Sequence, residues 1–256
     1  MANVQFLVPI KTPRGKLSLN SPLNWVFLVF ISLLVVFIFA ATNQARNIDQ
    51  VPVILILTFI GLLCFHRLSI NDEQKRILLA GFEGEKKALK ILKQLPSEYY
   101  ILNHLQIPSR GDYTTEIDFV VIGPNRIFIV EIKNYSGILK GTAEDLQWKH
   151  IKKDKNGKQL SKKIENPILQ VNRQVSVIER ILSSTGIVAT LSGIVLFVNK
   201  RSKLQIKGPS PVQLFYNDKL LTFITDAPAG DELDDPGLIA EVVRISGNQP
   251  IREHCP

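Results

Sequence analysis

Residues 116–133 read Glu-Ile-Asp-Phe-Val-Val-Ile-Gly-Pro-Asn-Arg-Ile-Phe-Ile-Val-Glu-Ile-Lys. Two apolar runs, Glu116 to Ile122 and Ile127 to Lys133, flank the turn signal Gly123-Pro124-Asn125-Arg126, a pattern that predicts a β-hairpin. Whether the loop holds two residues or four, the register is the same: Ile122 faces Ile127 and Asp118 faces Glu131. Directly opposed side chains have Cβ atoms about 4.5–5.5 Å apart. Alternation along the strand puts Lys133 on the face of Glu131. The hairpin thus gathers an Asp, a Glu and a Lys. Opposed like charges destabilise a sheet, and more so when buried, unless a proton or a cation lies between them. Two carboxylates suit Mg²⁺, which takes one or two of them with water and phosphate oxygens, and the lysine can orient water or stabilise charge on phosphate. The bland alternative is a surface salt ladder between Glu131 and Lys133 with Asp118 nearby.

Outward from the hairpin, Ser69 with Asp72 resembles a capping box and opens a helix that runs to about Leu95 and ends at Pro96. Its apolar stripe is Leu78, Phe82, Leu89 and Leu92, and Glu85 falls on that stripe. Gly81 and Gly84 point either to close backbone approach or to a break between two helices. Tyr99 to Ile107 reads as a strand. Beyond the hairpin comes a lysine-rich segment with Asn156-Gly157 as a turn signal. Asn166-Pro167 supplies an N-cap and a proline at the first helical position. Ile168, Val171, Val175, Ile178 and Leu182 then step as one face of a helix. Gly193 to Val198 reads as a buried strand, Val212 to Tyr216 and Leu220 to Ile224 as further strands, and a last helix follows Asp235-Pro236. The order α-β-β-β-α-β predicts an α/β domain with a mixed sheet.

The chain has 256 residues, 45% hydrophobic and 21% charged, a composition that excludes disorder and collagen. Mean hydropathy is +0.11, so apolar residues are concentrated somewhere. They lie near the start. No charged residue occurs from Leu17 to Ala45, or from Val51 to Phe65. The expectation is a transmembrane hairpin over 22–66, with helices at about 22–42 and 50–66. Lys11, Arg14 and Lys16 precede it and Arg67, Lys75 and Arg76 follow it, so the positive-inside rule puts both termini and the following domain in the cytoplasm. A signal peptide cleaved near Phe39-Ala40-Ala41 is the alternative, disfavoured by the length of the stretch and by the second run that follows at once. The expected divisions are a basic segment 1–21, the hairpin 22–66, a catalytic domain 67–230, and a C-terminal helix and tail 231–256. Cys64 and Cys255 form no disulfide pattern, which suits the cytoplasm. No CxxC or HExxH occurs, so a structural zinc site is not expected.

Net charge is +8. Lys149, Lys152, Lys153, Lys155, Lys158, Lys162 and Lys163 crowd a segment whose one acid is Asp154. Lysine clusters give salt-dependent, sequence-independent affinity for phosphate, so these seven are the candidate nucleic-acid contacts. A solvated hairpin, or contact with anionic lipid headgroups, would use the same charges. Trp148 reads as a core anchor more than as a base-stacking platform.

Four motifs in order now carry a resemblance: Gly81-Phe-Glu-Gly-Glu85, Glu116-Ile-Asp118-Phe-Val-Val-Ile-Gly123, Ile129-Val-Glu131-Ile-Lys133-Asn134 and Asn166-Pro167-x-x-Gln170. Together, over about Leu79 to Asn199, they resemble the NERD (nuclease-related) domain, which looks like a branch of the PD-(D/E)XK nuclease superfamily. The resemblance implies a restriction-endonuclease-like mixed sheet flanked by helices, here preceded by the membrane hairpin. By position it implies Asp118 and Glu131 as ligands of Mg²⁺ (or Mn²⁺), Lys133 as the catalytic lysine, Glu85 as an acid helping to hold metal or water, and Gln170 as the site glutamine. Ile117 stands where the superfamily loosely keeps proline. The expected activity is a membrane-anchored, metal-dependent nuclease acting on DNA more than RNA. A membrane-tethered nucleic-acid-binding scaffold without turnover is the rival, and a lipid-facing structural protein a third reading.

Overall fold

Strand β4 (Ile127–Lys133) is buried along all but its last residue, as befits a strand covered on both faces. The computed structural model describes residues 3–6, 76–108, 114–154, 156–216, 219–227, 233 and 235–248. The chain divides into two units, 1–10 with 81–256, and 11–80. The expected membrane hairpin over 22–66 lies outside the described residues, as do most of the basic segment 1–21 and the final residues 249–256. Among the described residues no helix is long and apolar enough to cross a membrane.

Chain order is β1 (Asn3–Phe6), then a helix α1 described over 76–92, then β2 (Tyr100–Pro108), β3 (Thr114–Ile122) and β4. Next come β5 (Gly137–Thr142), β6 (Gln147–Lys153), β7 (Gln159–Glu165) and α2 (Pro167–Ser184). The chain continues through β8 (Leu191–Phe197), β9 (Ser202–Lys207) and β10 (Gln213–Tyr216) to α3 (Leu220–Thr225) and α4 (Pro236–Asn248). A six-stranded mixed sheet has the order β1-β2-β3-β4-β8-β10, and a four-stranded sheet the order β7-β6-β5-β9. The hairpin register is the expected one, from Ile122↔Ile127 to Phe119↔Val130. β4 and β8 run parallel, joined through α2, as a crossover between parallel strands requires.

Apolar side chains cover both faces of the larger sheet. On one, Ala88 and Leu92 of α1, with Leu95 beyond it, and Leu220 and Ile224 of α3 meet Phe119, Val121, Phe128 and Val130. On the other, Val177, Ile178 and Leu182 of α2 and Ile239, Ala240 and Val243 of α4 meet Val120, Ile122, Ile127 and Ile129. A third cluster seats the smaller sheet, through Leu139, Trp148 and Ile164, on Ile168 and Val171 of α2 and on Val195 and Phe197 of β8.

Three sequence expectations need correction. The domain holds two sheets and not one: the hairpin that Asn156-Gly157 signals does form, β6 and β7 pairing across seven positions, Gln147↔Glu165 to Lys153↔Gln159, and β5 and β9 join it as a second sheet. Leu220 to Ile224 is helical, with Leu220 and Ile224 buried four residues apart and Phe223 packed on Phe215 at 4.7 Å; an apolar run this short does not declare its period. On α1, Leu78 is 58% exposed, and the buried residues are Gly84, Ala88 and Leu92.

Candidate active site

The ladder between β3 and β4 ends at Phe119↔Val130. The next pair in register, Asp118 and Glu131, makes no ladder bond; instead the Ile132 N–H donates to Asp118 Oδ2 at 2.7 Å. The strands part there, and the opening is a cleft of about 270 Å³ lined by Glu85, Glu116, Asp118, Glu131, Asn134 and Gln170, among others. Glu131 is 4% exposed. Its two oxygens are held separately: Lys133 Nζ donates to Oε1 at 2.6 Å and Gln174 Nε2 to Oε2 at 2.7 Å. Lys133 Nζ also donates to Gln170 Oε1 at 2.9 Å. The pairing is therefore a buried network and not the surface salt ladder.

Helix α2 sets both glutamines. The Asn166 side chain accepts from the Ile168 N–H at 2.9 Å and donates to the carbonyls of Ala143 at 3.0 Å and Asp145 at 2.7 Å. This cap fixes the helix start against the β5–β6 turn, and steps of four bring Gln170 and then Gln174 over the end of β4. Glu85 enters from α1. Its close approach depends on Gly84, where a Cβ would stand 3.1 Å from the Asn134 Cβ and 3.4 Å from Ile132 and Val198 methyls. Gly81, expected to do the same, faces open space at the cleft mouth.

Electrostatics follow from burial. Desolvation, and then the Glu131 charge, push the Asp118 carboxyl up to about 8, against the Ile132 N–H and Lys133, which pull it down. Burial lowers the Lys133 ammonium, but the adjacent Glu131 more than offsets this and the net direction is up.

Two residues escaped the sequence reading. Gln174 is 1% exposed and ties Glu131 to the Glu116 carbonyl, which accepts at 2.9 Å. A glutamine four residues beyond Gln170, amid the apolar stripe, was the available signal. His104 sits mid-strand in β2 with φ +52, between the ladder pairs Asn103↔Phe119 and Leu105↔Ile117 and thus level with Asp118. Its Nε2 lies 2.8 Å from Glu85 Oε2, and that bond raises its pKa against the opposing effect of burial. A non-glycine residue in this region stores strain of order 1–3 kcal/mol, a cost met at functional sites. Nothing local in the sequence announces it.

Of the candidate lysines, Lys149, Lys153 and Lys163 share one face of the smaller sheet. Lys152 and Lys162 stand on the other, beside His150, whose pKa is lowered by burial first and then by their charge. Lys158 closes the turn, its N–H donating to Asp154 at 2.8 Å. Lys155 lies outside the described residues. Trp148 is fully buried and donates to the Thr142 carbonyl at 2.8 Å, so it is a core anchor.

Could the cleft hold a cation? Among the described residues no group of three or more His, Cys, Asp or Glu side chains is placed to hold one unaided. The donor set is two carboxylates, and Asp118 accepts a bond on Oδ2 alone among the described residues. A buried Glu131 and a half-buried Asp118 faced by a single ammonium leave room for positive charge, and a hard cation that keeps most of its water fits that set.

Residues 80–198 match the nuclease-related domain family. The matching segment runs from within α1 past the end of β8, so it contains Glu85, Asp118, Glu131, Lys133 and Gln170, and of these Glu85, Asp118, Glu131 and Gln170 line the cleft. The chain is also 36% identical over 69 residues to an uncharacterized protein of Bacillus anthracis, a match over 27% of this chain and 32% of that protein. The matched region thus spans about a third of that relative's length. No solved structure matches the chain.

Proposed function

We propose that this chain is a nuclease that hydrolyses phosphodiester bonds of nucleic acid, DNA before RNA, with Mg²⁺ or Mn²⁺ held by Asp118 and Glu131. The observation that carries the reading is the cleft itself, where a buried acid, Glu131, a half-buried acid, Asp118, and one lysine converge at a parting of strands. A bound divalent cation supplies Lewis-acid charge at the scissile phosphate. Lys133, held between Glu131 and Gln170, is placed to orient the attacking water or to meet developing charge on phosphate. Gln174 fixes the Glu131 carboxylate. Glu85, held by His104, faces the same cleft and can accept a bond from water.

The domain is proposed to sit at a membrane, anchored by the apolar hairpin over 22–66, on the cytoplasmic side. One pairing supports this. β1 lies parallel beside β2, and strands cannot pair across a bilayer, so any crossings by the segment between them come in pairs, as those of a hairpin do.

The test incubates full-length protein in detergent, wild type and Glu131→Ala, with plasmid, linear and single-stranded DNA and with RNA, in Mg²⁺, Mn²⁺ or EDTA. Metal-dependent cleavage that vanishes in the variant is expected. Equal cleavage by both proteins would overturn the site. The second reading, a tethered binder without turnover, draws on the exposed lysines of the smaller sheet. It would be favoured by metal-independent binding with no cleavage.

A further inference from the structure

The smaller sheet packs one face on α2 and β8 and shows the other to solvent. Alternation in β9 makes the division plain: Ser202 is buried and Leu204 and Ile206 are half-buried, while Lys203, Gln205 and Lys207 are exposed. Pairing then carries the outward set across the sheet, since directly paired residues share a face. Lys163 pairs with Lys149, Lys149 with Lys140, and Lys140 with Gln205. One row of four strands therefore presents three lysines abreast. Lys203 lies one row along on β9, Lys207 one row the other way, and Lys153 at the far end of β6. All six lysines are exposed. Among the described residues of this face the one acid is Glu165, at a corner and paired with Arg173.

We infer that this face docks the phosphate backbone of double-helical nucleic acid through Lys140, Lys149, Lys153, Lys163, Lys203 and Lys207. The inference rests on the nuclease reading for its choice of polyanion and extends it by naming where the substrate is gripped and in what form. Strands lie about 4.8 Å apart, so the row of three spans roughly 10 Å and the four strands about 15 Å. Like charges directly opposed across strands destabilise a sheet. A row of three in register is thus a feature that a polyanion relieves. The residues are lysines, which act on phosphate as point charges and do not read bases by a planar fork. Among the described residues the face carries no exposed aromatic side chain: its other members are Gln, Ser, Thr and Ile, and Trp148 is buried behind it. Binding of single strands uses aromatic stacking platforms. A flat lysine face without them suits a duplex. Lys140, Lys203 and Lys207 belong to this site though they lie outside the lysine-rich segment, and Lys152 and Lys162, within the segment, point away.

Binding of the full chain in detergent to a short fluorescent DNA duplex, in EDTA across a salt series, tests this. For wild type, log affinity falls with log salt, at roughly 0.9 for each phosphate contact. The variant Lys140→Gln/Lys149→Gln/Lys163→Gln is expected to lose about 2.7 from that slope, with a melting temperature no lower than that of wild type, since it removes opposed like charges. The same three positions changed to Arg should keep the slope. The matched triple Lys152→Gln/Lys158→Gln/Lys162→Gln should lose clearly less. Wild type should bind the duplex more tightly than its single strand. Equal slopes in wild type and the first variant, a larger loss in the second triple, or tighter binding of the single strand would overturn the inference. So would loss of affinity for nanodiscs containing phosphatidylserine with the DNA slope intact. Cleavage is scored separately in Mg²⁺. Cleavage with equal slopes sinks the docking face and leaves the nuclease standing; a reduced slope with no cleavage in any metal does the reverse.

Discussion

The two sheets treat charge in opposite ways. At the end of the larger sheet, Glu131 is buried and each of its oxygens has its own donor, while Asp118 takes a peptide N–H where a ladder bond would have been. On the smaller sheet, lysines stand abreast in water. In the first region every group is individually costly to remove, because its partner is left uncompensated in low dielectric. In the second no single residue matters much, since an exposed charge is screened and the effect is collective. On the proposed function, one region serves a chemical event at a point and the other affinity spread over an area.

The contrast breaks most visibly at Glu131. Glu131→Ala should lower metal-dependent cleavage by roughly 1000-fold or more, the equivalent of several kcal/mol of transition-state stabilisation, with duplex binding retained. A steady-state cleavage assay beside a binding isotherm checks both halves.

The pH response is next. Asp118 and His104 both have folded-state pKa values above their ordinary ones. Each therefore adds stability that is full below its unfolded pKa and is lost as pH rises through the folded value. Thermal melts of the metal-free protein should show stability falling between about pH 4 and pH 8 on account of Asp118. Asp118→Asn should flatten that fall, and added Mg²⁺ should reverse it by displacing the proton. A melt profile that rises over that range without metal would mean that Asp118 is not desolvated as described.

Gln174→Leu should cost about 1–3 kcal/mol, because Glu131 Oε2 and the Glu116 carbonyl lose their donor inside the fold; denaturant titration measures it. His104→Asn keeps a residue that tolerates the left-handed region and removes the bond to Glu85. Its expected effect on stability is within about 1 kcal/mol, while cleavage should fall more than binding if Glu85 acts in the cleft. The smallest change belongs to the exposed sheet: Lys149→Gln alone should shift stability by less than about 0.5 kcal/mol.

Legibility follows the same division. The hairpin 116–133 could be read because turn and alternation are local, and register follows from the turn whatever its exact length. Glu131 and Lys133 came with it. Gln170 came only with the family resemblance, through the motif Asn166-Pro167-x-x-Gln170; the cap at Asn166 by itself marks a helix start and no site residue. Of the smaller sheet only the β6–β7 turn, at Asn156-Gly157, was legible; the rest was hidden because its strands carry few apolar residues, β7 burying only Ile164. Its β5–β9 edge is a parallel pairing of residues more than sixty apart, which no local pattern encodes. His104 stayed hidden because its place opposite Asp118 depends on the register of β2 against β3, set across a connection that the sequence leaves unmarked.

The short strand at Asn3–Phe6 has a practical side. It pairs with the start of β2, from Tyr100 to Leu102, and covers peptide groups at that end of a strand that would otherwise be the outermost of its sheet. Such outer rims recruit other chains. A fragment begun after residue 66, the obvious cut for leaving out the apolar segments, would uncover this rim and gain a tendency to self-associate edge to edge. Fusing residues 1–10 back through a flexible linker should remove that tendency.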